Sequence, residues 1–359
     1  PNTNQDDLVF ARLADDIPTF SEKMVGAGFN AAAFTGGAGV SGKFGYNRGF
    51  STYLDDKVFA GMDYSGPAAE AWLRENHAKP DAAHFLLFFH GYDVHGQHPL
   101  IDQTPRAAVP TYTGKMDGSI EEQAKLREAG LAEIKNPGDP ANGDISPEDT
   151  AFLLAVYDAK VKEADARLGK FVATLKELGL YDTSIIVLLA DHGEEFMEHD
   201  YLDHGATLCQ HQLHVPLSFR FPNGEGAQVI KTPVRTIDAS PTVFDALGLP
   251  PIADVDGKSL IPLIRGEKVD LPIRAESDYR LFVRLRAARV GDKKVILDLQ
   301  DGQKTLFDVA ADPQESNDLS VADPKTTYEI EQDVRAWMSA MKVDPAQYLG
   351  KREETIKIF

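Results

Sequence analysis

The sequence predicts an α/β protein: a large domain in which buried strands alternate with helices, followed by a small α+β domain. Three observations carry this reading. The 359 residues exceed one ordinary core, so a unit of about 250 residues and a smaller one are expected. The runs Phe85–Phe89 and Ile185–Ala190 are short, unbroken and apolar, the pattern of strands covered on both faces. Beyond about Arg274 the chain changes to short strand-like segments separated by tight turns, with one amphipathic helix, which is α+β patterning. The boundary is placed so that the domains are 1–268 and 269–359.

Taken in order, Asp15-Asp16-Ile17-Pro18-Thr19 gives capping chemistry for a helix over Phe20–Ala27, closed by Gly28, with a short strand over Ala31–Phe34. The strand Phe85–Phe89 runs straight into His90-Gly91-Tyr92-Asp93-Val94-His95-Gly96-Gln97-His98. The stretch from Asp102 to Asp149 is polar and holds Pro105, Pro110, Pro137 and Pro140; it reads as a surface excursion with one short helix between Ile120 and Ile134. Ser146-Pro147-Glu148-Asp149 caps a long helix whose Leu153, Tyr157, Val161, Ala164, Leu168, Phe171 and Leu175 recur at steps of three and four. Gly179 ends it before the strand Ile185–Ala190. A strand over Leu217–Phe221 and a helix over Ile237–Leu247, with Pro241 in its first turn and Gly248 behind it, follow. The small domain is expected to hold strands at Leu281–Ala288, Lys294–Leu299 and Thr305–Val309 and a helix near Thr326–Met341.

The net charge of −19 repels nucleic acid and anionic membranes, so an anionic substrate must meet a locally positive site made of metal or histidine. The single cysteine, Cys209, excludes an internal disulfide framework and a cysteine-rich zinc site; its surroundings read as those of a buried apolar residue. No segment has the 18 or more apolar residues of a membrane-spanning helix.

The chemistry concentrates at strand ends, where open α/β sheets place their sites. The strand Ile185–Ala190 delivers Asp191 and His192, two metal-competent side chains that a turn can aim at one ion; the residues alone also allow an N-cap aspartate beside a surface histidine. His90, Asp93, His95 and His98 lie past a second strand end, and two such groups converging on one sheet edge favour function. His204 follows Asp191 closely enough for a loop to return it over the metal, where its imidazole could bind an oxyanion or protonate a leaving oxygen. His199, His211 and His214 read as structural. The loop Thr35-Gly36-Gly37-Ala38-Gly39 lacks the lysine and spacing of a phosphate-binding P-loop.

Several segments, in this order and spacing, make the chain resemble the sulfatase branch of the alkaline phosphatase superfamily over nearly its whole length. They include Asp16-Ile17-Pro18-Thr19-Phe20, Phe44-Gly45-Tyr46-Asn47-Arg48-Gly49-Phe50, Tyr92-Asp93-Val94-His95, Ala190-Asp191-His192-Gly193-Glu194-Glu195-Phe196, His204-Gly205 with Val215-Pro216-Leu217, Asp256-Gly257-Lys258-Ser259-Leu260, and Asp312-Pro313-Gln314-Glu315-Ser316-Asn317-Asp318-Leu319. The resemblance implies a sulfatase/alkaline-phosphatase-like sandwich with a large mixed sheet flanked by helices, plus a C-terminal antiparallel sheet. It implies hydrolysis of small-molecule or glycan sulfate esters. It also implies a divalent cation, usually calcium, held partly by Asp191 and His192, with His95 contacting the sulfate and His204 near the leaving-group oxygen. Export to the periplasm or outside the cell goes with the family.

Two departures qualify these expectations. Family members carry, near their start, a pair of metal-binding aspartates and a Cys/Ser-x-Pro-x-Arg motif whose first residue becomes the formylglycine nucleophile. Neither is found here: Cys209-Gln210-His211-Gln212, Ser240-Pro241 and Pro105-Arg106 do not fit, and Asp6-Asp7 lacks a preceding strand. The expectation is a chain that starts after that motif, forming the C-terminal part of the enzyme, with apolar sheet edges left for a missing N-terminal segment or a second chain to cover. The Gly-Lys-Trp-His-type segment is absent too, which leaves sulfate, phosphate and phosphonate esters open. The alternatives are a phosphonate or phosphodiester hydrolase, a phosphoethanolamine transferase, or a non-catalytic homologue.

Overall fold

The computed structural model describes residues 12–77, 82–96, 98–135, 145–279, 283–344 and 346; Asp6-Asp7 and Gln97 lie outside them. Two compact units are formed, one within 1–124, 146–184 and 221–224, the other within 125–145, 185–220 and 225–359. Among the described residues no helix is long and apolar enough to cross a membrane.

In the first unit, α1 (Phe20–Gly26) starts on a capping box: the Thr19 hydroxyl accepts from Glu22 N at 3.1 Å, and Glu22 Oε2 accepts from Thr19 N at 2.8 Å. The strand β1 (Asn30–Phe34) is buried from Ala31 onward and lies between β2 (Thr52–Leu54) and β3 (Phe85–Phe89), all parallel. The crossover into β3 is α2 (Met62–His77), which sequence patterning misses because it holds Gly66 and Pro67. Packing overrides propensity there: Ala69, Trp72 and Leu73 are buried. The polar excursion contains α3 (Pro105–Ala108) and the start of α4 (Ile120–Lys135), and it is tied down, since the Tyr112 ring stacks on Phe152 at 4.0 Å. The long helix α5 (Pro147–Glu177) begins at Ser146, whose hydroxyl accepts from Asp149 N. Its Phe152, Leu153, Val156, Phe171 and Leu175 face inward, and Arg74 of α2 grips Glu177 through two hydrogen bonds of 2.8 and 2.7 Å.

The second unit takes the later part of α4, from Lys125, then β4 (Ile186–Leu189), the short strands β5 (Glu195–Phe196) and β6 (Leu202–Asp203), the turn of helix α6 (Gln210–Leu213) and β7 (Leu217–Arg220). β4 and β7 pair antiparallel, as do β5 and β6. Farther on are α7 (Ala239–Ala246) and α8 (Ile261–Ile264), both anchored by buried Asp238, which takes Arg235 Nη2 at 2.6 Å and Lys258 N at 2.9 Å. The strands β8 (Ile273–Ser277), β9 (Leu285–Val290), β10 (Lys293–Asp298) and β11 (Lys304–Asp308) form an antiparallel sheet in the order β11-β10-β9-β8. Against it packs α9 (Pro324–Ala340), with Val295, Leu297, Leu306, Ile330, Val334 and Met338 as the shared core. The antiparallel C-terminal sheet is therefore present, with two corrections of detail. The first of its expected strands holds from Leu285, with Val283 and Arg284 outside it and the expected start at Leu281 beyond the described residues, and β8 went unread because Ile273-Arg274-Ala275-Glu276-Ser277 carries the charges of an edge strand.

Two strand ends leave apolar side chains in solvent. Among the described residues β3 is an edge strand of its sheet, with Phe88 43% exposed, and β4 has β7 as its only neighbour, with Leu188 47% and Leu189 43% exposed.

Candidate active site

The polar turn after β4 is built by close backbone packing. Gly193 N donates to Gln212 O at 2.8 Å and Glu194 N to His211 O at 3.1 Å. A Cβ on Gly193 would stand 2.0 Å from His211 O, so only glycine brings the turn this close. The Asp191 and His192 side chains face one another, with His192 Nε2 3.7 Å from Asp191 Oδ2. His192 Nδ1 donates to its neighbour's carbonyl, Gly193 O, at 2.8 Å. That bond fixes the tautomer and leaves Nε2 with the lone pair, the arrangement found in metal-bound imidazoles. The pair therefore fits a divalent cation, supplying one oxygen and one nitrogen donor.

His204 comes to this turn from the far end of the β5–β6 hairpin. Its ring stacks on that of His192, centroids 3.9 Å apart and planes at 27°. Nδ1–H is shared between Asp203 Oδ1 at 2.8 Å and Glu194 Oε1 at 3.2 Å. Burial opposes a charged ring here, but the hydrogen bonds to Asp203 and Glu194 outweigh it, and the imidazole is pushed up to about 10. Burial likewise raises Glu194, against the pull of His204. For Asp203 the same burial loses to the His204 hydrogen bond, helped by Arg127, whose Nε lies 3.2 Å from Asp203 Oδ2. The backbone is held as well: Tyr201, fully buried, donates its hydroxyl to His204 O at 2.9 Å, and Asp203 adopts φ 106°.

Asp191, His192 and His204 are thus brought together. His95 belongs to the first unit, where its ring stacks on Phe59 (5.1 Å, 19°) and meets the Tyr92 ring edge-on at 5.3 Å. Its carbonyl accepts from Lys160 Nζ at 3.1 Å. Two residues earlier, buried Asp93 accepts from Met62 N at 2.8 Å and pairs with Arg167 at 3.3 Å, and His98 Nδ1 donates to Phe59 O at 2.9 Å. Asp93 and His98 therefore hold the loop that presents His95. The glycines of the Gly36-Gly37 loop answer to packing, since a Cβ on Gly37, at φ 68°, would lie 1.8 Å from Lys57 O.

Sequence reasoning missed Glu194, Asp203, Arg127 and Tyr201 as the groups that hold His204. The two carboxylates were in view as its near neighbours. Arg127 was not, because it comes from a helix inside the polar excursion.

The Sulfatase family model matches residues 5–249, and that of N-sulphoglucosamine sulphohydrolase, C-terminal, matches residues 197–344. Arylsulfatase K of Rattus norvegicus is 26% identical over 227 residues, covering 60% of this chain and 40% of the relative; the Homo sapiens protein gives 26% over 227 residues, covering 60% and 42%. The matched part of the chain thus spans less than half the length of these relatives. Among solved structures, one described in complex with its substrate D-glucosamine-2-N,6-O-disulfate has a TM-score of 0.69 at 18% identity, covering 92% of this chain and 84% of its own. A 2-O GAG sulfatase gives 0.68 at 19%, covering 95% and 80%. The phosphonate monoester hydrolase of Agrobacterium radiobacter gives 0.67 at 17%, covering 92% and 81%. The shared property is the fold, which is that of the alkaline phosphatase superfamily.

Proposed function

Because the chain belongs to the sulfatase family, we propose that it carries the metal-holding and leaving-group parts of a sulfate-ester hydrolase site, acting on a sulfated glycan. The observation that carries this is the His192–His204 stack, with His204 held as a cation by Asp203 and Glu194. A ring pushed up to about 10 stays protonated near neutral pH. It would serve a leaving alkoxide by hydrogen-bond donation from its other ring nitrogen and by fixed positive charge, the kind of preorganised stabilisation that lowers barriers most.

Asp191 and His192 would hold a divalent cation, calcium by family resemblance, which when bound supplies Lewis-acid polarisation of a sulfate oxygen. His95 is proposed to contact the sulfate, its ring orientation set by Phe59 and Tyr92. The glycan class is suggested by the substrates named for two of the similar structures. The division into 1–268 and 269–359 is kept as part of the same reading. Since the Cys/Ser-x-Pro-x-Arg motif is missing from the sequence, no residue of this chain is assigned as nucleophile, and the 359 residues alone are expected to turn over aryl sulfate at background rate.

The test is calorimetric binding of calcium, and then of D-glucosamine-2-N,6-O-disulfate, to the full chain. Asp191→Asn should abolish the calcium response, and His204→Asn should weaken the sugar about tenfold or more while sparing calcium. Equal binding by both variants and wild type would remove the site. Robust aryl sulfate turnover by the chain alone would remove the nucleophile argument, and tighter binding of a phosphonate monoester would favour phosphoryl chemistry.

A further inference from the structure

A second cluster of metal-competent side chains lies beyond the Asp191–His204 site, and the hydrolase reading does not use it. In the second unit, ligand atoms of His199, Cys209 and Glu315 all lie within 4.8 Å of one another, and those of Glu195, His199 and His211 do the same. Sequence patterning gives these histidines and the cysteine structural roles, and burial alone is consistent with that: Cys209 is 6%, Glu315 2% and Glu195 0% exposed.

The hydrogen bonds point further. His199 Nδ1 donates to Glu195 Oε1 at 2.6 Å, which leaves Nε2 as the nitrogen that a metal would take. That nitrogen is buried, and the Cys209 thiol lies against the same ring as its polar neighbour on that side. His211 repeats the arrangement. Its Nε2 donates to Gln314 Oε1 at 3.0 Å, while Nδ1 is buried and without a partner. Each of the two imidazoles thus has one nitrogen tied to an acceptor; the other nitrogen of His199 faces the Cys209 thiol, and that of His211 is dry and unused. A buried lone pair without a partner is costly in a purely structural role. A carboxylate behind a histidine is what a metal-bound imidazole requires.

Glu315 is placed with the same deliberation. It holds φ 54°, a left-handed conformation costly for a residue with a side chain. Its Oε2 accepts from Gln210 N at 2.7 Å, and Oε1 lies 2.5 Å from Lys294 Nζ. Each carboxylate oxygen has two lone pairs, so Oε1 can keep Lys294 and still serve an ion.

We propose that His199, Cys209 and Glu315 form a binding site for a soft divalent cation, zinc by its thiolate–imidazole–carboxylate ligands, with Glu195 orienting His199 and His211 offering a further donor. Zinc bonds of about 2.0–2.3 Å in tetrahedral array separate neighbouring ligands by roughly 3.3–3.6 Å, so atoms now within 4.8 Å of one another close in by about 1.5 Å at most. The ion would fasten the segment that carries His204, between Glu195 and Leu213, to the loop after β11.

The test uses the full chain carrying Asp191→Asn, which removes the other cation site. After loading with zinc and desalting, about one equivalent should remain, and it should be lost in Cys209→Ser and His199→Gln. Glu195→Gln should weaken zinc about 10- to 100-fold. Cobalt in place of zinc should give a sulfur-to-metal charge-transfer absorption that Cys209→Ser abolishes. Should either variant fail to fold, alkylation of Cys209 by iodoacetamide in the otherwise intact chain decides the matter: zinc should slow it tenfold or more. Zinc retained equally by Cys209→Ser, cobalt without the sulfur band, or alkylation unaffected by zinc would each overturn the site.

Discussion

Replacing Gly193 by alanine isolates the packing that holds the Asp191–His192 turn. The added Cβ would stand 2.0 Å from His211 O, whereas real Cβ atoms essentially never come closer than 3.0 Å, so at least 1.0 Å of retreat is required, and the obstacle is backbone. The two hydrogen bonds that tie the turn to the α6 segment, at 2.8 and 3.1 Å, would both stretch beyond bonding range. At about 1 kcal/mol each, their loss costs about 2 kcal/mol, or about 4–8 °C in melting midpoint at the usual sensitivity of a unit of this size. The displaced turn should also hold calcium about 10- to 100-fold less tightly, the usual effect of disturbing groups that orient a metal ligand. The control is Gly169→Ala in α5, where the new methyl meets nothing within 4 Å and should stabilise by about 0.5–1 kcal/mol. Urea unfolding followed by circular dichroism, with calcium calorimetry in parallel, reads both variants. A Gly193→Ala protein that unfolds with wild type and binds calcium normally would refute the reasoning.

Leu306→Ala, at a fully buried position in the core under α9, should lose about 2–5 kcal/mol in urea unfolding; a loss under 1 kcal/mol would mean that the core is not packed as described. Tyr112→Phe removes the hydroxyl that donates to Asp149 and accepts from Met116 N; it should cost about 1–2 kcal/mol and speed amide exchange at Met116, and unchanged exchange would count against that bond. Glu331 sits between Lys304 Nζ (2.5 Å) and Arg335 Nη2 (2.6 Å). Burial pushes its carboxyl up, but the Lys304 and Arg335 hydrogen bonds outweigh this and hold it below the ordinary 4.5. A carboxyl lowered in the folded state contributes stability above its unfolded value and loses it as pH falls through the folded one. The stability gap between wild type and Glu331→Gln should therefore be present at neutral pH and shrink below pH 4.5, and a gap independent of pH would contradict the assignment.

What could be read from the sequence was what local pattern encodes. The strand-end positions of Asp191 and His192, the capped start of α5 at Ser146, and the turns at Gly291-Asp292 and Asp301-Gly302 each depend on a few adjacent residues, and each lies where expected. The misses share a different cause. The helix α2 was hidden by Gly66 and Pro67, whose local cost is offset only by burying Trp72 and Leu73. The hairpin of β5 and β6 has strands of two residues, too short to show any period, and its left-handed residues Met197, Asp200 and Asp203 give no pattern at all. That hairpin brings His204 back to His192, a return that the short spacing from Asp191 already suggested, whereas the ring stack and the carboxylates that hold His204 were not legible.

The arrangement changes how an acidic chain can manage an anionic ester. With a net charge of −19, the protein as a whole repels sulfate, and the site gives only partial relief. Counting Asp191, Glu194 and Asp203 as ionised against one His204 imidazolium leaves the cluster with formal charge −2. The carboxylates that favour the protonated form of His204 thereby cancel its field at a distance, and its charge is felt only within hydrogen-bonding reach. A divalent cation on Asp191 and His192 would bring the cluster to neutrality, and the ester would then meet +2 at one point and an imidazolium at the next. At these separations in a partly buried site, such local charges outweigh a dispersed surface charge that salt screens within about 10 Å. It follows that ester binding should depend on the cation, whereas His204 is held ready by Asp203 and Glu194 whether or not the cation is bound.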